Sequence, residues 1–149
     1  MKTLTKSKPR QLDPTKDNGK KVKPLVKIDL ACGQSKQDGF IGVDICKLKG
    51  VDVVHDLNKY PWPFKSNSVN EIWCSHYFEH IDGINRSKFM NECHRILKEG
   101  GKMTVISPYF ASHRAYQDYT HKWPPVCENS FLYFNKGWRE TNNLNINIV

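Results

Sequence analysis

Three short apolar runs, each closed by an aspartate, follow one another between residues 25 and 56. Leu25-Val26-Lys27-Ile28-Asp29-Leu30 leads into the turn Ala31-Cys32-Gly33. Phe40-Ile41-Gly42-Val43-Asp44 and Val51-Asp52-Val53-Val54-His55-Asp56 repeat the form. Runs this short and this rich in β-branched residues read as buried strands. Val69–Cys74 is a fourth such run, and Lys102–Ser107, ended by Pro108, is a fifth. Between those two, Phe89, Met90, Cys93, Ile96 and Leu97 recur at helical spacing on one face, which predicts a helix over about Asn85–Lys98. Lys98 suits the negative end of that helix, and Gly100-Gly101 can supply a left-handed residue to stop it. Strands that end in acids, with a helix feeding back into a strand, predict an α/β fold with a Rossmann-like, mostly parallel sheet of about five strands. One feature strains against this. Parallel neighbours usually need a crossover of a dozen residues or more, yet nine residues separate Leu30 from Phe40 and six separate Asp44 from Val51. Either the helices on that side are trimmed to turns, or the strands pair differently.

With 149 residues the chain can build one sizeable core. Its net charge of +8 is lopsided: residues 1–24 hold eight Lys or Arg against Asp13 and Asp17, so the other 125 residues carry only +2. The predicted organisation is a basic tail over 1–24, an α/β domain over 25–140 and an Asn-rich tail over 141–149. A Lys-rich leader with few apolar residues cannot bury enough surface to order itself. It is expected to be solvated, or to act as an electrostatic arm toward nucleic acid or another polyanion. The five cysteines (32, 46, 74, 93, 127) are odd in number and lack CxxC pairing, so they are expected to be reduced thiols in or near the core, with no zinc site. No apolar run approaches 18 residues, and no charged leader precedes an apolar segment. A membrane span and a secretion signal are therefore not expected, and a cytoplasmic placement is.

In an open parallel sheet, ligands bind at the carboxyl ends of the strands, near the point where strand order reverses. Asp29, Asp44 and Asp56 sit at three such ends. A glycine turn after the first strand lets backbone approach a ligand closely. An acid ending the second strand can accept from both hydroxyls of a ribose. Any one of these aspartates, taken alone, reads as a loop residue capping backbone N–H groups; three in phase point to a site.

Asp29-Leu30-Ala31-Cys32-Gly33 resembles the DLGCG segment of class I S-adenosylmethionine-dependent methyltransferases, and Asp44 falls where that family places its ribose-binding acid. His55-Asp56-Leu57, Pro61-Trp62-Pro63-Phe64 and Ser68-Val69-Asn70-Glu71-Ile72 together are similar to the family's D-L…P-F…S-F-D-x-I stretch. Glu79-His80-Ile81 resembles the EHI after its fourth strand, and Ile96-Leu97-Lys98-Glu99-Gly100-Gly101 the L-K-P-G-G before its fifth. Each motif is weak alone; their order over Val26–Pro108 carries the resemblance. A compact, poorly characterised branch of the family shares the short first crossover.

The resemblance implies a cofactor, S-adenosyl-L-methionine, and places it residue by residue. Ala31 to Gly33 would pass beneath its methionine part, and Asp29 would face its amino group. Asp44 would hold the ribose hydroxyls, Asp56 would accept from the adenine amino group, and Leu57 would pack on the ring. Ser75 and His76 would line the pocket beside the transferable methyl, and Tyr77 or Tyr109 could face the sulfonium charge. Ala31 departs from the family's glycine, and Gln34-Ser35 stand where another glycine is common. A methyl side chain at Ala31 is tolerable only with negative φ, so cofactor affinity is expected to survive in weakened form.

Past Pro108, Tyr109 to Asp118 and Thr120-His121 are rich in groups that handle protons. The Gln117-Asp118…Thr120-His121 segment, and then Tyr133-Phe134-Asn135…Trp138-Arg139, resemble stretches of the compact branch. The region should cover the acceptor side. Methyl transfer is an in-line displacement governed by alignment. If the acceptor must lose a proton, His113, Asp118 and His121 are the candidate catalytic residues; the alternative is that they hydrogen-bond within a structured loop. A His/Asp/His metal set there has no diagnostic spacing, and no metal is expected. The family's usual strand pair after the fifth strand is missing from the pattern. The chain thus reads as a truncated product, a short form, or half of an oligomeric site.

The expected function is S-adenosylmethionine-dependent transfer of a methyl group to an unidentified acceptor. A nicotinamide-dependent oxidoreductase would need G-x-G-x-x-G and a following helix, which Ala31–Lys36 does not offer. The competing class is a catalytically idle methyltransferase-fold binding protein. Its basic tail and its aromatics (Tyr109, Tyr116, Tyr119, Trp123) would contact RNA or a protein partner; the retained acids argue against it.

Overall fold

Ile28, Leu30, Val43, Ile72 and Cys74 lose all or nearly all their accessible surface, as the continuous apolar runs require of a sheet covered on both faces. In this computed structural model, residues 24–144 are described, together with the backbone of Lys16–Asp17 and Lys20–Lys21, which pair antiparallel. The main sheet comprises β1 (Lys27–Leu30), β2 (Ile41–Asp44), β3 (Val53–Val54), β4 (Val69–Ser75) and β5 (Leu97–Ile106). Its order is β3-β2-β1-β4-β5, and every pairing is parallel. Strand order reverses between β1 and β4, so the carboxyl ends of these two strands flank the switch point. The fold is the expected Rossmann-like α/β arrangement, and among the described residues no strand follows Ile106.

The short crossovers are real, and the strands pair as expected despite them. Residues 31–40 and 45–52 contain turns but no helix. Two carboxylates latch these connections to the sheet. Asp29, only 3% exposed, accepts the Gln37 N–H at 2.8 Å. Asp52 accepts the Gly42 N–H and the Lys36 ammonium, each at 2.8 Å. A Cβ on Gly42 would lie 2.7 Å from the Gly50 carbonyl oxygen and 2.8 Å from Cys32 Sγ, so only glycine lets both connections close over β2. The third run is shorter than expected: of Val51–Asp56, only Val53–Val54 join the ladder. Asp52 instead meets Gly42 twice, its N–H donating to the Gly42 carbonyl at 2.9 Å and its carboxylate accepting the Gly42 N–H.

The helix α1 spans Gly83–Ile96, two residues earlier at each end than its periodicity suggests. Its last carbonyls are taken by Asn67 and Ser68, whose N–H groups donate to Arg95 and Ile96 at 2.9 Å. Leu97 is already extended and pairs with Val69. No glycine stop is needed. Gly100, with φ +71°, instead sits inside β5, where the register shifts between the Val69 and Glu71 pairings. Phe89 of α1 is fully buried, with ring centroids of Trp62, Tyr77 and Phe78 at 5.3, 5.9 and 5.8 Å. Truncating it to alanine would cost about 3–5 kcal/mol.

The segment after β5 folds back onto the sheet through Arg86. Its guanidinium, 5% exposed, donates to the carbonyls of Ile81, Lys122 and Pro124 and lies over the Phe78 ring. A 3-10 turn over Glu128–Phe134 and a short α2, Lys136–Thr141, complete the described chain. The Tyr133-Phe134-Asn135…Trp138-Arg139 stretch is architectural. Asn135 caps α2 through the Trp138 N–H, and Arg139 donates to the Tyr133 carbonyl.

All five cysteines are free thiols, with Cys32, Cys74 and Cys93 buried; Cys46 departs from the expected core placement, because the connection after β2 runs over the surface. Among the described residues no helix is long and apolar enough to cross a membrane. Most of the basic tail over 1–24, and residues 145–149 of the Asn-rich tail, lie outside the described residues.

Candidate functional site

Two cavities open at the carboxyl edge of the sheet, one on each side of the end of β4. The first, of about 340 Å³, is lined by Ala31, Asp44, Ile45, His55, Asp56, Leu57, Asn58 and Tyr77. Three sequence-predicted elements meet here: the turn after β1, the acid ending β2 and the Asp56-Leu57 pair after β3. Asp44 accepts the Gly33 N–H on Oδ2 at 2.9 Å and the Cys46 N–H on Oδ1 at 3.0 Å. Each oxygen keeps a further accepting position. Asp56 accepts both the backbone and side-chain N–H groups of Asn58 on Oδ1. The Asn58 backbone bond, ahead of the others, holds its carboxyl below the usual aspartate value, so it stays an acceptor near neutrality. Leu57 is 4% exposed and offers an apolar floor. Tyr77 contributes an aromatic wall, its phenol pushed up to about 12 by burial and therefore neutral.

Ala31 overturns one expectation. Its φ is +54°, the left-handed region that favours glycine, so the methyl side chain is carried there at a cost of about 1 kcal/mol. The short crossover fixes this geometry: the next residue, Cys32, donates its N–H to Val43 at 3.2 Å. Asp29 and Gly33 do not line the cavity. Asp29 is committed to Gln37 and its carboxyl is pushed up by burial; Gly33 acts through its N–H on Asp44.

The second cavity, of about 400 Å³, is lined by His76, Glu79, His80, Pro108, Arg114, Gln117, Asp118 and His121. It joins the end of β4 to the segment after β5. Asp118 and His121 meet here, while His113 is exposed and outside the lining. Asp118 accepts the Thr120 hydroxyl at 2.6 Å and the Thr120 N–H at 2.8 Å, which lower its pKa in that order. His121 Nδ1 lies 3.1 Å from the Ala115 carbonyl and therefore carries the proton, which leaves Nε2 as an acceptor. His76, with φ +54°, lines this cavity rather than the first, and its Nδ1 approaches Glu79 Oε1 at 3.2 Å. Ser75 ends β4 opposite Ile106 and lines neither cavity. Tyr109 stacks edge-on against Phe110, away from both linings.

Sequence reasoning assigned no individual role to Glu79, His80, Arg114 or Gln117, the last two falling only within the proton-handling stretch from Tyr109 to Asp118. The signal for the first two was present: a Glu-His pair shortly after a buried strand, on what the structure shows to be a 3-10 turn over Phe78–His80.

Residues 26–105 match the family model described as a methyltransferase domain. Among solved structures, a SAM-dependent methyltransferase from Archaeoglobus fulgidus is similar with a TM-score of 0.62 and 23% identity, over 73% of this chain and 57% of that one. A methyltransferase candidate from Bacillus halodurans C-125 aligns with a TM-score of 0.54 and 17% identity, over 77% of this chain and 60% of that one. The chain thus spans under two thirds of the length of these structures. No curated protein matches it.

Proposed function

Because the chain belongs to the methyltransferase domain family, we propose that it binds S-adenosylmethionine in the cavity beside Asp44 and transfers its methyl group to an acceptor entering beside His121. The observation that carries this reading is the convergence of Asp44, Asp56, Leu57 and Tyr77 on one cavity at the switch point of the sheet.

The lining fits the cofactor group by group. Asp44 retains one accepting position per oxygen for a pair of ribose hydroxyls. Asp56 is an ionised acceptor suited to an adenine amino group, and Leu57 is an apolar surface for the ring. When bound, S-adenosylmethionine supplies a methyl group on a positively charged sulfur. The neutral ring of Tyr77 provides an electron-rich face for positive charge, and the turn 31–33 presents backbone rather than bulk.

The chain's remaining task is alignment, which governs an in-line displacement. His76 and the Glu79–His80 turn follow β4 directly, so they connect the two cavities and fix the distance between donor and acceptor sides. His121 Nε2, held as an acceptor by the Ala115 carbonyl, can take a proton from an acceptor group in the second cavity.

Hydrogen exchange of the chain with and without S-adenosylhomocysteine tests the placement. Slowing is expected at residues 31–33, 44–46 and 56–58. Slowing elsewhere with none at these three loops would overturn it.

A further inference from the structure

Glu79 is a carboxylate placed where water scarcely reaches, at 4% exposure. Among the described residues its Oε1 meets the exposed ring of His76, at 3.2 Å, and its Oε2 has no hydrogen-bond partner; the buried Arg86 guanidinium attracts the carboxylate electrostatically but spends its hydrogen bonds on backbone carbonyls. A buried carboxylate oxygen without a donor is costly unless a cation or donor arrives from outside the chain. The two imidazoles beside it are oriented to receive one.

His80 Nδ1 lies 3.0 Å from Thr120 Oγ1. The Thr120 hydroxyl is itself committed as donor to Asp118 at 2.6 Å, so Thr120 can only accept, and the Nδ1 proton of His80 points at it. His121 Nδ1 likewise donates to the Ala115 carbonyl. Both rings thereby donate through Nδ1, which leaves Nε2 as the ligating nitrogen; Asp118 Oδ2 lies 3.9 Å from His121 Nε2 and adds negative charge beside it. This is the outer-shell pattern that orients metal-ligating histidines. The ring centroids are 4.9 Å apart, and one ligand atom from each of Glu79, His80 and His121 lies within 4.8 Å of the other two. A tetrahedral ion with bonds near 2.1 Å would bring such donors to about 3.4 Å of one another, a closure within reach of small side-chain rotations.

We propose that Glu79, His80 and His121 bind a divalent first-row transition-metal ion, of which Zn²⁺ is the representative. Imidazole nitrogens with one carboxylate suit zinc rather than magnesium or calcium, which favour all-oxygen sets. Three protein ligands leave a coordination position facing the cavity that His76, Arg114 and Gln117 also line. An oxygen or nitrogen of the methyl acceptor could fill it, and the ion would then ease its deprotonation in place of His121, whose Nε2 is a ligand rather than a base when metal is bound; that consequence rests on the methyltransferase reading, whereas the metal site does not.

The test uses the full chain, stripped with EDTA, checked by circular dichroism, and titrated with ZnCl₂ against a chromophoric chelator. One equivalent should bind, unaffected by millimolar Mg²⁺. Glu79→Gln, His80→Gln and His121→Ala should each weaken binding by at least about tenfold, and His94→Ala, on the exposed face of α1, should not. Substitution of Co²⁺ should give a visible spectrum without thiolate charge-transfer bands, which separates this site from Cys46 or Cys127. If Glu79→Gln fails to fold, the half-buried His80→Gln carries the test. No binding by the folded chain, unchanged affinity in the folded variants, or a thiolate spectrum would each overturn the proposal. Calorimetry with S-adenosylhomocysteine on the EDTA-stripped chain reports the cofactor site separately.

Discussion

Asp44 Oδ2 accepts the N–H of Gly33 at 2.9 Å, so the acid that ends β2 also holds the turn that follows β1. The two parts of the proposed cofactor site are therefore one mechanical unit, and the turn is set before any ligand arrives. Asp44→Asn separates the two duties. The amide oxygen can still accept from Gly33, while the exposed bond from the Cys46 N–H and the charge-assisted bonds proposed for the ribose hydroxyls are lost. Affinity for S-adenosylhomocysteine should fall roughly 10- to 100-fold, the equivalent of about 1.5–3 kcal/mol, with little change in melting temperature. Equal loss of affinity and stability would mean that Asp44 serves only the turn.

Ala31 carries a methyl group at φ +54°. Ala31→Gly relieves that conformation, and despite the looser unfolded chain should raise stability by about 0.5–1 kcal/mol in urea denaturation. A lower midpoint would show that the methyl group's packing against the core outweighs its backbone strain.

Glu92 is 7% exposed and accepts from the Trp62 N–H at 2.6 Å and from the Arg95 guanidinium at 2.6 and 2.8 Å. Burial pushes its carboxyl up, but these donors outweigh burial and hold it below the usual 4.5. A depressed folded-state value means that the contribution is complete above pH 4.5 and is lost as pH falls through the lower, folded-state value. Glu92→Gln should cost about 2 kcal/mol at pH 7 and flatten that acid limb, read by thermal melts between pH 3 and 7. An unaltered acid limb would place the titration elsewhere.

The fold was largely legible because burial imposes itself on composition. Five apolar runs gave five parallel strands, and Phe89, Cys93 and Ile96 marked the buried face of α1. Boundaries were less legible wherever a tertiary bond ends an element. The stop of α1 is set by Asn67 and Ser68, nearly thirty residues upstream, and no local pattern announces that. At the site, an acid at a strand end gives its position but not its partner: Asp44 and Asp56 line the first cavity, whereas Asp29 turns to Gln37. Glu79 and His80 meet His121 only because the chain after β5 folds back. Forty residues of spacing hid that encounter.

Arg86 is the clasp for that returning segment, with bonds to the Ile81, Lys122 and Pro124 carbonyls. Arg86→Met keeps much of the volume and removes every donor. The variant should lose about 3 kcal/mol, and limited proteolysis should cut first within residues 108–126. Cleavage spread evenly over the chain would show that the segment is held by other contacts.

The most direct measurement is calorimetric titration of the full chain with S-adenosylmethionine and S-adenosylhomocysteine, with NAD as control. Saturable, one-to-one binding of the first two and none of NAD is the expected result. A folded chain that binds neither, or binds NAD in their place, would contradict the assignment of the Asp44 cavity as a methyl-donor site.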